Sequence, residues 1–272
     1  MEIKNYKIVG VSVEVRLFGT KLPELFKGFE TERAQKPEFV AELYSGERLY
    51  QSCYGIEYTV AQGYVFGSRQ QPRTRMLCSP EWDKIYIENC SCCEDGVMEL
   101  FLVGFYTYMA GRGGILMHAS LVEHMGSSIA FTADSGVGKT TQARLWERYM
   151  GAAILNGDKA YIQTPESEGK ILAWGSPWKG SSPYAVNRCA PLKAIIVLEQ
   201  AKSNSIRRLE PSEAVTKTLR HIFYPSWCEE RTRSMLESAD KLIAGVPVYL
   251  LGCLPDEEAV RITKKAVWGC LE

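Results

Sequence analysis

The segment "IAFTADSGVGKTTQARLWERY", residues 129–149, constrains the fold more than any other. Ile129–Thr132 is apolar and strand-like. A short polar turn carrying Gly136 and Gly138 follows, and Thr140 and Thr141 then open an amphipathic stretch with Gln142, Leu145, Trp146 and Tyr149 on one face. Strand, glycine turn and helix in that order suit an anion: turn and helix-start N–H groups point at one place, and glycine lets the backbone curl around it. The pattern G-x-x-x-x-G-K-[ST] adds a lysine for β/γ-phosphates and a hydroxyl for Mg²⁺. Asp134, Ser135, Gly136, Val137, Gly138, Lys139, Thr140 and Thr141 are therefore the candidate nucleotide-phosphate residues. Ala133 stands where the first glycine belongs, which the turn tolerates if its φ stays negative.

The rest of the chain falls into two regions. Residues 1–92 are β-rich, with candidate strands "YKIVGVSVEVRLF" (period two from Ile8 to Phe18), "EFVAELY", "YTVAQGYVFG", "TRMLCS" and "KIYIEN" between Gly, Pro and Ser turns. No recognisable chemistry marks this half. Residues 93–272 begin with the helical pattern "VMELFLVGFYTYMAG", stopping at Gly111 and Gly113. Strand patterns "ILMHASLVEH", "SSIAFTA" and "AAILNGDKAYIQ" follow, with a helix over residues 140–150 between the last two. "LKAIIVLEQ" is continuously apolar, as a strand buried on both faces is. Helices in "PSEAVTKTLRHIF" and "EERTRSMLESADKLI", a strand in "PVYLLGC" and a helix in "DEEAVRITKKAVW" complete an α/β pattern.

Lys plus Arg and Asp plus Glu are both 32. That balance argues against a bulk electrostatic partner such as nucleic acid or an anionic membrane. No run approaches the ~18–20 apolar residues of a membrane span. The opening segment lacks an uninterrupted apolar core of the export-signal type, so a cytoplasmic location is expected. Nine cysteines then read as reduced thiols. Cys90, Cys92 and Cys93 cluster, but no second CxxC or nearby histidine completes a metal set.

Two residues sharpen the chemistry. Asp158 ends an apolar run downstream of the turn, where a carboxylate suits Mg²⁺ coordination or alignment of an attacking hydroxyl. His118 lies upstream in "LMHASLVEHMG". Together "MHASLVEHMGSSIAFTADSGVGKTT" and "LNGDK", within residues 113–162, resemble the catalytic domain of HPr kinase/phosphorylase and its relatives, which share a nucleotide-binding core with ATP-dependent phosphoenolpyruvate carboxykinase. The resemblance implies an HPr kinase/PEP carboxykinase-like P-loop core. It implies transfer of the ATP γ-phosphoryl group, with Mg²⁺, to a hydroxyl of a peptide, protein or small molecule. It places Lys139 on the phosphates, Thr140 and Asp158 on Mg²⁺ or Asp158 as base, and His118 near the transferred group. It also implies a homo-oligomer.

The chain departs from that family in two places. The paired aspartates are here Gly157–Asp158, and the long signature after them is replaced by "WGSPWKGSSPYAVNRCAPLKAIIVLEQ", so HPr itself is not the expected acceptor. In that segment Trp178, Lys179 and Arg188 form a candidate substrate loop, with the two cations available to transition-state charge. Two readings stand: an ATP-dependent kinase, and a non-catalytic nucleotide-binding module that recognises a peptide or protein, which the missing aspartate favours.

Overall fold

The computed structural model describes residues 1–22, 24–32, 34, 36–46, 63–69, 71, 73–89 and 94–269. Cys90, Cys92, Cys93 and the first part of "YTVAQGYVFG" lie outside the described residues. The fold is mixed α/β, in two compact units, Met1–Met109 and Ala110–Glu272.

The first unit is a six-stranded sheet in the order β1-β2-β3-β6-β5-β4. Its strands are β1 (Glu2–Ile8), β2 (Val11–Phe18), β3 (Phe39–Ser45), β4 (Tyr64–Gly67), β5 (Arg75–Cys78) and β6 (Lys84–Asn89). The single alternating run expected around Ile8 is two strands. Val9 and Gly10 take φ of 51° and 76°, which folds the run into a hairpin with Ile8 opposite Val11. Helix α1 (Glu94–Ala110) packs on this sheet. The Phe39 ring meets Phe101 at 5.9 Å and Phe105 at 5.3 Å. Gly104 allows the approach, since a Cβ there would lie 2.7 Å from Ile85 Cγ2. The change of composition near Val97 therefore marks a helix of the first unit, and the units divide after it, not at residue 92.

The second unit is built on β7 (Gly114–His124), β8 (Ser127–Thr132), β9 (Ala153–Asn156), β10 (Lys159–Gln163), β11 (Leu172–Trp174), β12 (Cys189–Gln200), β13 (Ser205–Arg208), β14 (Ile222–Phe223) and β15 (Val248–Cys253). Its main path runs β11-β10-β7-β8-β12-β15-β13, with β9 and β14 also on β7. The helices are α2 (Lys139–Met150), α3 (Pro211–Leu219), α4 (Glu229–Gly245) and α5 (Glu257–Trp268). β12 is parallel to both β8 and β15, so the carboxyl ends of these three strands share one edge. Open α/β sheets place ligands at such an edge.

Two apolar layers cover β12. Ala194, Ile196 and Leu198 join Phe131, Ala143, Trp146 and Val260, the side of α2 and α5. Ile195 and Val197 join Ala214, Met235, Ala239 and Leu242, the side of α3 and α4. Alternate residues pack against opposite helix pairs, which is why the run is apolar throughout. Among the described residues, no helix is long and apolar enough to cross a membrane.

Candidate functional site

The turn after β8 keeps the geometry its sequence suggests. Gly136 and Gly138 have φ of 82° and 125°, where a Cβ is strained. Nothing lies within 4 Å of a Cβ placed on Gly136, so that side is open. Ala133 is not among the residues of positive φ, and its methyl is buried with Phe131 and Trp146. No side chain caps the start of α2, which leaves its first N–H groups available.

Lys139 is only 7% exposed, yet its Nζ donates to backbone alone, to Ala133 O at 3.0 Å and Asp134 O at 3.4 Å. Burial pushes its pKa down, while the carboxylates of Asp158 and Asp134 oppose the shift. The Thr140 hydroxyl donates to Gly157 O at 3.3 Å and Ser120 to the same oxygen at 2.8 Å, tying the first turn of α2 to the residue before Asp158.

Asp158 does not lie within a continuous strand. The run "AAILNGDKAYIQ" breaks into β9 and β10 because Asn156 turns it. Fully buried Asn156 accepts at Oδ1 from Asp158 N (2.8 Å) and Lys159 N (2.7 Å). This local bond competes with the strand ladder. β7 changes partners at the same level: Gly114–His118 pairs with β10, and Ala119–His124 with β8. His118, the last residue before the change, lies opposite Lys159. Both side chains converge on Asp158, His118 Nε2 on Oδ1 at 3.0 Å and Lys159 Nζ on Oδ2 at 2.5 Å. The bond from His118 first, with Lys159 adding to it against burial, holds the Asp158 carboxyl well below the usual range.

Residues 175–186 fold over this cluster. Asn156 Nδ2 donates to Ser176 O at 2.9 Å, Ser176 Oγ to Lys159 O at 2.7 Å, and Asn156 bridges Ala185. Trp178 is buried with its ring 6.2 Å from Tyr161, while among the described residues Lys179 reaches Pro183 O alone, at 3.5 Å. Arg188 pairs with Glu123 at 2.7 Å, five residues beyond His118 along β7, a separation of about 17 Å. His118, Lys139, Thr140 and Asp158 are thus brought together, and Arg188 is not.

The sequence reading missed Asn156, Lys159, Ser182 and His221. His221 is buried, and its carbonyl accepts from His118 N at 2.8 Å. Burial lowers the pKa of its imidazole, with Asp134 opposing. With Lys217 and Arg220 it lines a cavity of about 420 Å³ against Ala133–Val137 and the end of β12. Arg220 reaches Asp134 at 3.6 Å. A second cavity of about 380 Å³, bounded by Thr141, Gln142, Gln200, Cys253 and Leu254, lies on the other side of Gly136.

The family model for the SynChlorMet cassette protein ScmC matches residues 95–255, more than half of the chain. The chain belongs to the ScmC family. The matched span of this ScmC-family chain contains every residue of the cluster just described. No curated protein matches it. A solved structure to which it is similar, the Hpr(Ser) kinase/phosphatase from Coxiella burnetii, shares 14% identity at a TM-score of 0.33, over 57% of this chain and 93% of that one.

Proposed function

We propose that this ScmC-family chain binds a nucleoside triphosphate, ATP in the first instance, at the 133–141 turn and transfers its γ-phosphoryl group to a hydroxyl of a peptide, protein or small molecule. One observation carries the reading: His118 and Lys159 converge on Asp158, and Asp158 follows the residue whose carbonyl receives the Thr140 hydroxyl. An acid held between an imidazole and an ammonium thus adjoins a glycine turn with uncapped amides and a buried lysine. Phosphoryl transfer asks for that combination of positioned charges and little covalent chemistry.

The residues fit the ligands the reading needs. No side chain caps the start of α2, and the space beside Gly136 is open, as a seat for phosphate oxygens requires. Lys139, bonded only to backbone carbonyls, is free to exchange them for an anion. Thr140 and Asp158 offer hard oxygen donors for Mg²⁺, which takes one or two protein oxygens beside phosphate and water. No group of three or more metal-ligating side chains occurs among the described residues. When bound, the magnesium nucleotide supplies an activated phosphoryl group with part of its charge neutralised.

The protein then positions and orients. Asp158, ionised at neutral pH, accepts a hydrogen bond from the acceptor hydroxyl and takes its proton late. His118 and Lys159 keep the carboxylate aimed, and the Lys159 ammonium offsets the charge that collects on the equatorial oxygens. Arg220 and Lys217 line the cavity on the α3 side and offer further positive charge.

The binding-module reading has its own support in Gly157, where the second aspartate of the HPr kinase pair is missing and Ser182 fills the space. ADP formation separates the two. The kinase reading expects Mg²⁺-dependent ADP release that Asp158→Asn reduces at least about a hundredfold, the usual contribution of a positioned acid or base. ADP release absent from the wild-type chain, or unchanged by Asp158→Asn, assigns the site to binding alone.

A further inference from the structure

Ser182 occupies the space that a side chain at position 157 would take. A Cβ on Gly157 would overlap both Cβ and Oγ of Ser182. The hydroxyl therefore rests against the backbone link between the Thr140 contact at Gly157 O and the Asp158 carboxylate. Two residues earlier the same loop presses on Asp158 itself: Gly180 has φ of 58°, and a Cβ there would lie 2.7 Å from Asp158 Oδ2. Ser182 is only 8% exposed. Its Oγ accepts from Tyr184 N at 3.1 Å, and among the described residues its own proton goes to no acceptor. A buried hydroxyl with an uncommitted proton, in the loop that covers the Asp158 carboxylate, is an unusual thing to keep. Ser181, its neighbour, is exposed.

We propose, resting on the kinase reading above, that Ser182 is an internal phosphoryl acceptor and that the chain phosphorylates its own 176–184 loop. The 176–184 loop first shifts off Gly157, where no phosphate fits, and the Ser182 oxygen then attacks the γ-phosphorus of a nucleoside triphosphate. An O–P bond forms, the bond from that phosphorus to the bridging oxygen breaks, and the nucleoside diphosphate leaves with its electron pair. The hydroxyl proton passes to Asp158 and then to water.

The product cannot stay where the serine was. Gly157 leaves no room for a phosphate, and a group of charge about −1.5 to −2 beside Asp158 is repelled. The loop cannot close again, which leaves Asp158 uncovered for an acceptor from outside. A cover over the acid would thus be kept off by the site's own chemistry.

The test uses the full chain, treated with phosphatase and then given ATP and Mg²⁺. Intact mass and peptide mapping follow wild type, Ser182→Ala, Ser181→Ala and Asp158→Asn, with ATP affinity measured calorimetrically for each. Expected is a gain of one phosphoryl group (about 80 Da) on Ser182 in wild type and Ser181→Ala. None is expected in Ser182→Ala, which still binds ATP, or in Asp158→Asn. The rate per chain should not depend on protein concentration. Phosphorylated chain should be cut by trypsin after Lys179 faster than unmodified chain. Wild type that binds ATP but gains no phosphate, or gains it at another residue, overturns the proposal and leaves the nucleotide reading standing. Wild type that does not bind ATP overturns both.

Discussion

His118 and Asp158 meet at 3.0 Å although forty residues of chain, including α2, separate them. The meeting depends on two local devices, the change of partners along β7 and the Asn156-centred turn that ends β9. Replacing Asp158 with Asn keeps the shape and removes the charge. The carboxylate that His118 and Lys159 share is then gone, and ADP release should fall by more than ATP affinity does, since the phosphate seat resides in the turn. Steady-state kinetics with calorimetry read the two effects separately.

Asn156 should be the least replaceable polar residue of the cluster. Its side chain serves the N–H groups of Asp158 and Lys159 and holds Ser176 O. Asn156→Ala strands those groups in a fully buried place, at a cost of about 1–3 kcal/mol for each one left unsatisfied. Urea denaturation should show a lower midpoint with an unchanged m-value.

Gly157 is held to glycine by Ser182. Gly157→Ala should destabilise by about 1–3 kcal/mol, as overpacking does. Gly157→Ala combined with Ser182→Gly should recover most of that loss, because the second change removes the atoms the methyl meets. A double-mutant cycle in thermal unfolding measures the coupling, and additive losses would show that the two do not touch. Gly157→Asp without a change at Ser182 should likewise cost stability rather than gain turnover.

Acid should weaken the fold in two stages. The His124 ring lies 5.6 Å from Trp146 and 5.5 Å from Trp268, and burial, then Lys264, lowers its pKa. The His221 pKa moves the same way, again chiefly through burial. Below their unfolded value of about 6.5 the unfolded chain binds protons that the folded chain does not, so stability falls as pH drops through that value. The Asp158 pKa is lowered too, in its case by the partners that hold the ionised carboxylate. Its contribution is present above about pH 3.9 and lost below it. Melting temperature against pH should show both steps, and His124→Phe should shrink only the first.

The sequence made parts of this legible and hid others for physical reasons. The 133–140 turn and the doubly covered strand β12 follow from local pattern, glycine spacing in one case and an unbroken apolar run in the other. The break between β9 and β10 does not, because "AAILNGDKAYIQ" has strand character throughout and only the Asn156 side chain interrupts it. Lys159 was passed over for that reason: inside a continuous strand it would be an ordinary residue. Arg188 drew notice through its nearness in sequence to Trp178 and Lys179, whereas the fold sends it along β7 to Glu123. His221 reaches the site only because the two-residue strand β14 pairs with β7, a contact between elements remote in sequence.

The most direct measurement is a calorimetric titration of magnesium ATP into the wild-type chain and Lys139→Ala. If the turn after β8 is the phosphate seat, wild type binds with one site per chain, and removing the buried ammonium weakens binding at least about tenfold, or 1.4 kcal/mol. Equal affinity in the two proteins, with Lys139→Ala still folded by circular dichroism, would contradict the account.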